Sequence, residues 1–128
     1  MSTNTSSAQL WGGRIATAIP VIILLMSGAM KIAQPPGFVE SFKTFGYPMN
    51  LAACIGIVEL LCTVIYLIPR TSVLGAILLT GYLGGAVATH VRIADPSFVG
   101  PLLFGVLVWL GLYVRDPRIR ALIPLLSR

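Results

Sequence analysis

Apolar and polar positions divide this chain into four long apolar runs separated by short polar joints. Runs of this length match the roughly 20 residues that a helix needs to cross a bilayer. The pattern predicts spans over about residues 14–33, 49–68, 73–91 and 98–114. Residues 1–12, small and polar at first ("MSTNTSSAQL"), read as a disordered tail. Residues 13–128 read as a single transmembrane domain. Arg14 ahead of an apolar stretch raises the possibility of a cleaved leader, but the stretch is long and Lys31 falls where cleavage would occur, so the first span is read as retained.

The joints carry the usual breakers. "PRTS" (Pro69–Ser72) and "RIADPS" (Arg92–Ser97) reverse the chain. Between the first two spans lies "QPPGFVESFKTFGYP". Pro35 and Pro36 suit a helix start and Gly46 its stop. Phe38, Phe42 and Phe45 recur at i, i+4 and i+7, so they share a face. A short amphipathic helix at the membrane surface fits this pattern, as does an aromatic-anchored loop. The fold class is therefore an all-α integral membrane protein, a four-helix bundle with an interfacial helix between spans 1 and 2.

Composition supports this reading. Of 128 residues, 56% are hydrophobic and 10% charged, and mean hydropathy is +0.91. A soluble domain carries about a quarter charged residues. The net charge of +5 does not point to nucleic acid, because the basic residues sit at the ends of the apolar runs. Arg14, Arg70, Arg115, Arg118, Arg120 and Arg128 fall on one side, against Lys31, Lys43 and Arg92 on the other. The lysine and arginine bias places both termini in the cytoplasm. Cys54 and Cys62 share one run, about 12 Å apart along a helix, too far to bridge there. The single His90 cannot build a multi-histidine metal site or a bis-histidine haem site within one copy. No phosphate loop, dinucleotide fingerprint, zinc-protease motif or nucleophile elbow is present.

Candidate chemistry lies in the polar residues inside the spans. In the second span Ala52, Gly56, Glu59, Thr63 and Tyr66 form one small and polar stripe, while Ile57, Leu61, Ile65 and Ile68 form an aliphatic one. Glu59 should thus face the bundle interior and a partner. Ser27 and Lys31 are an i, i+4 pair on the first span. Depth arithmetic puts Lys31 at the outer boundary and Glu59 about 15 Å below it. By depth, Tyr82 is the first-choice partner and Ser27 the next. Lys31, His90 and Arg92 are expected at the outward mouth of the same pocket. Structural glue, a ligand site and acid–base catalysis by Glu59 all remain open for this set. On the third span, Gly81 with Gly85, and Gly84 with Ala88, are expected to let a neighbouring helix approach closely.

Several stretches resemble the DoxX-like membrane proteins: "SGAMK", "FGYP", "IGIVEL", "IPRTSVLGAILLTGYLGGAVATHVR" and "VLVWLGLYVRDPRIRALIP". Their order covers nearly the whole chain after the tail. The resemblance implies a compact four-helix protein of the bacterial inner membrane. The family is named for its relation to a subunit of a thiosulfate:quinone oxidoreductase, and some members are linked to membrane oxidoreductase complexes. Lys31, Glu59 and His90 match recurrent polar positions to which the family assigns no catalytic role. The resemblance implies a non-catalytic subunit of a membrane complex, or a binder of a lipid-like or quinone-like molecule. The alternative is a small membrane enzyme, a quinone-linked oxidoreductase subunit or an isomerase, with Glu59 as acid/base. Quinone or haem would be compatible cofactors, and neither is required. Expected partners are the lipid bilayer and other membrane subunits.

Overall fold

The computed structural model describes residues 5–126. Its main elements are α1 (Ser7–Ala33), α2 (Pro36–Lys43), α3 (Ala52–Leu67), α4 (Ser72–Arg92), α5 (Val99–Arg115) and α6 (Pro117–Leu122). Short 3-10 turns precede α3, α4 and α5. Four of the helical stretches are long and apolar enough to cross a membrane. The short helix expected between the first two spans is present as α2.

Local chemistry explains where each helix begins and ends. The first helix starts at Ser7, so it extends into residues 7–12, where the sequence pattern suggested a tail. The cause is a capping box: Ser6 Oγ accepts from the Gln9 N–H, and Gln9 Oε1 accepts from the Ser6 N–H. Residues 1–4 of the expected tail lie outside the described residues. At its other end α1 stops at Gln34, which adopts a left-handed conformation before Pro35 and Pro36. Pro69 stops α3, and the following side chains satisfy its last carbonyls. Thr71 Oγ1 donates to Ile65 O and Ser72 Oγ donates to Tyr66 O, each at 2.8 Å. The stretch after the last span contains α6. Asp116 caps it by accepting from the Arg118 N–H, and Pro117 occupies its first position.

The four long helices run antiparallel in the order α1, α3, α4, α5 around the bundle, and α5 closes against α1. The expected stripe of α3 is the one that turns inward: Ala52, Gly56, Glu59, Thr63 and Tyr66 are all buried, whereas Ile57, Leu61 and Ile68 are exposed. An apolar exterior of this kind suits hydrocarbon, with every backbone polar group satisfied inside helices. Tyr66, one residue before the end of α3, is fully buried. Its hydroxyl donates to Val108 O at 2.7 Å, and Thr17 Oγ1 lies 3.3 Å away. Leu24, Leu79, Leu83, Val108 and Leu112 complete the core around it.

Close helix contacts are made by glycines, but not by the pair the sequence singled out. A Cβ on Gly56 would lie 2.8 Å from Gly28 O, and one on Gly75 would lie 2.3 Å from the Tyr66 backbone. By contrast, a Cβ on Gly81, Gly84 or Gly85 would meet nothing within 4 Å. The expectation that these α4 glycines bring a neighbour close is therefore corrected. They leave space rather than make contact.

Candidate functional site

The Gly28–Gly56 contact sets the register between α1 and α3, and so decides what meets Glu59. With those glycines level, Lys31 lies three residues to one side and Glu59 three residues to the other. Their Cα atoms are then about 9 Å apart along the axis, not the roughly 15 Å that span boundaries implied. Side chains on a helix lean toward its N-terminus. Because α1 and α3 are antiparallel, Lys31 and Glu59 lean toward each other. Lys31 Nζ reaches Glu59 Oε2 at 2.9 Å.

Two hydroxyls complete the cluster. Tyr82 Oη donates to Glu59 Oε2 at 2.9 Å, and Ser27 Oγ donates to the same oxygen at 3.4 Å. Lys31 Nζ also donates to Ser27 Oγ at 2.6 Å. One carboxylate oxygen thus collects an ammonium and two hydroxyls from α1 and α4. Tyr82 and Ser27 sit where depth placed them. Lys31, expected at the mouth, is instead in direct contact. Glu59 is 1% exposed, so the carboxylate end of this ion pair is withdrawn from solvent, while Lys31 keeps a face on the cavity described next.

Above this cluster lies a cavity of about 360 Å³. Lys31 and Tyr82 face it from below, and Glu59 does not reach its lining. Phe38, Phe42, Phe45 and Tyr47 wall one side. Their rings pack in sequence on Phe42, with centroids 5.3 Å from Phe38 and 6.2 Å from both Phe45 and Tyr47. The opposite wall is α4, where Gly81 and Gly85 provide the open space and Thr89 and His90 the polar edge. The aromatic face of α2, expected at the membrane surface, covers this hollow, and Phe42 is almost fully buried. Aromatic spacing in "FVESFKTF" was the available signal for this wall. Its target was not visible without the tertiary fold.

His90 lines the cavity as expected. Its Nδ1 lies 2.8 Å from Ala86 O, and a carbonyl only accepts, so Nδ1 carries the proton and a neutral ring keeps Nε2 as an acceptor. Its ring meets Phe45 edge-on at 5.0 Å. Arg92 does not line the cavity. It donates to Phe45 O and sits 5.8 Å over the Tyr47 ring, clamping the turn that contains left-handed Gly46. Tyr47 is held from the other side, with its hydroxyl 2.8 Å from Thr89 Oγ1. The Thr89 proton goes to Gly85 O, so Tyr47 is the donor in that contact.

Residues 15–111 match the family model described as DoxX-like. The chain belongs to the DoxX-like family. Neither the curated proteins nor the solved structures contain a match. With four membrane-length helices, this DoxX-like chain is a multi-pass membrane protein.

A larger cleft of about 570 Å³ opens between α4 and α5 of the same DoxX-like bundle. Two of its polar side chains are engaged with each other and the backbone: Trp109 Nε1 donates to Thr80 Oγ1, and Thr80 Oγ1 donates to Ala76 O, both at 2.7 Å. The cleft is otherwise almost wholly apolar, and among the described residues no charged group lines it. The smaller cavity over Lys31 and Tyr82 combines apolar walls with a charged group.

Proposed function

We propose that this DoxX-like protein is a non-catalytic subunit of a redox-linked membrane complex, and that its cavity binds a flat, quinone-like molecule. The observation that carries this reading is an aromatic-walled hollow of about 360 Å³ above a buried ion pair. The volume lies within the range of about 300–1,000 Å³ common to small-molecule sites. An ammonium has three N–H donors, and Lys31 spends two on Ser27 and Glu59. The third is available to a carbonyl oxygen in the cavity. The phenylalanines supply faces against which a ring can stack. Glu59 stands behind Lys31 and Tyr82, so it acts as a positioning residue rather than as an acid/base on a ligand. The family's association with quinone-linked complexes supports the same choice.

In this reading residues 13–128 work as one membrane domain in the bacterial plasma membrane. The arginine-rich side faces the cytoplasm together with both termini, following the positive-inside bias. The cavity then opens toward the outer leaflet.

The test is extraction of the purified protein with organic solvent and chromatography of the extract. Quinone is expected from the wild type and not from Gly85→Leu. That substitution fills the cavity at a position where a Cβ meets nothing within 4 Å, so melting temperature should hold. A wild type that yields no quinone, and whose melting temperature does not rise with an added short-chain quinone, would refute the proposal. A visible spectrum of the same sample would reveal haem in its place.

A further inference from the structure

The other end of the bundle holds a recess of about 310 Å³ between α1 and the last residues of α3 and α5. Arg14 and Arg115 both line it. Among the described residues, no carboxylate forms an ion pair with either. Among the described residues the Arg115 side chain makes no hydrogen bond; its guanidinium lies 5.8 Å over the Tyr66 ring, and its Nε is buried without an acceptor. Arg14 is exposed and rests 5.4 Å over the Trp11 ring. The acid next in sequence, Asp116, is taken by Arg118 at 3.0 Å.

The remaining polar group of the recess is also committed. The Tyr66 proton goes to Val108 O, so Thr17 must donate in its contact with Tyr66. Guanidinium donors are therefore all that the recess presents, and they call for an oxyanion. Beyond them the lining turns apolar along α1, through Ala18, Val21 and Ile22, with Leu67 opposite. Ile22 and Leu67 are half exposed on the lipid-facing exterior. A free phosphate would use the arginines and leave this wall idle. A phospholipid uses both.

We infer that this recess binds one anionic phospholipid, its phosphodiester held between Arg14 and Arg115 and an acyl chain lying along Val21 and Ile22. Guanidinium pairs with phosphate oxygens through two parallel hydrogen bonds, which gives the site geometric preference as well as charge. Arg70 at the same end adds to the attraction for an anionic headgroup, whereas Arg118 is neutralised by Asp116. Nothing in this inference depends on the cavity over Lys31.

Native mass spectrometry of the full chain released from detergent tests it, with phosphatidylglycerol, phosphatidylcholine and inorganic phosphate as probes. One phosphatidylglycerol per protein is expected to be retained, with phosphatidylcholine bound more weakly and inorganic phosphate not retained. Each arginine near an anionic surface is worth enough for about a fivefold change in affinity. Arg14→Gln and Arg115→Gln should each weaken phosphatidylglycerol by about that factor, and Arg118→Gln, outside the recess, should not. Arg14 is exposed, so its variant keeps the test decisive even if Arg115→Gln misfolds. Equal retention of the two lipids, unchanged binding by Arg14→Gln, or phosphate binding as tight as the lipid would each overturn the inference.

Discussion

Replacing Lys31 by Met, Glu59 by Gln, and then both together isolates the ion pair at the heart of the bundle. Nζ and Oε2 are 2.9 Å apart, and the two side chains are 16% and 2% exposed. At an effective dielectric of about 20, the gross attraction at that distance is about 6 kcal/mol, part of which desolvation has already offset. Breaking a buried pair by removing one partner costs about 3–5 kcal/mol, against about 0.2–1 kcal/mol for an exposed pair. Lys31 touches the cavity and Glu59 keeps two hydroxyl donors, so each single variant should fall at the lower end, about 3 kcal/mol. The double variant leaves a neutral amide facing Tyr82 and Ser27, with no stranded charge. It should cost about as much as either single change, which makes the coupling about 2–3 kcal/mol. Unfolding in mixed micelles of rising dodecyl sulfate fraction, followed by far-ultraviolet circular dichroism, measures all four proteins. Single changes below about 1 kcal/mol that simply add would refute the reasoning, because the pair would then behave as if bathed in water.

Two other changes probe packing and the chain end. Gly75→Ala should lower the melting temperature, since its Cβ would press on the Tyr66 backbone at 2.3 Å, an overpacking cost of about 1–3 kcal/mol. Gly81→Ala should instead hold or raise it, by up to about 1 kcal/mol of helix propensity, because its Cβ enters open space. The hydrogen bonds from Arg118 hold the Asp116 carboxyl below the usual carboxylate range. A lowered folded-state value contributes stability above the unfolded value of about 3.9, and that contribution is lost as pH falls through the folded one. Asp116→Ala should therefore cost about 1 kcal/mol at pH 7 through the lost cap of α6, and the gap between variant and wild-type melting temperatures should narrow at pH 3.

Much of this arrangement is legible in the amino-acid order. Long apolar runs broken at Pro35–Pro36, Pro69 and Pro96 specify the four spans, because a helix in hydrocarbon must satisfy its own backbone. The stripe through Gly56, Glu59 and Tyr66 told which face of α3 turns inward, because polar groups avoid lipid. Tyr82 and Ser27 followed from depth alone. The first turn of α1 was also written in the sequence, as Ser6 and Gln9, but a polar composition obscured it.

What the sequence could not decide is everything that depends on how one helix sits against another. Whether Lys31 reaches Glu59 depends on the Gly28–Gly56 register and on the opposed lean of side chains across antiparallel helices, and neither is a property of a single span. Spacing makes Gly81 and Gly85 look like a helix contact, yet the neighbour they would touch is absent and they become a cavity wall. The three phenylalanines are one apolar face in any reading; only the fold shows that the face closes over Lys31 and Tyr82. Arg14 and Arg115, 101 positions apart in the chain, meet because α5 packs back on α1. Local order is set by the periodicity of apolar residues, whereas a site is set by the distances between helices, and those distances are fixed only when the bundle is packed.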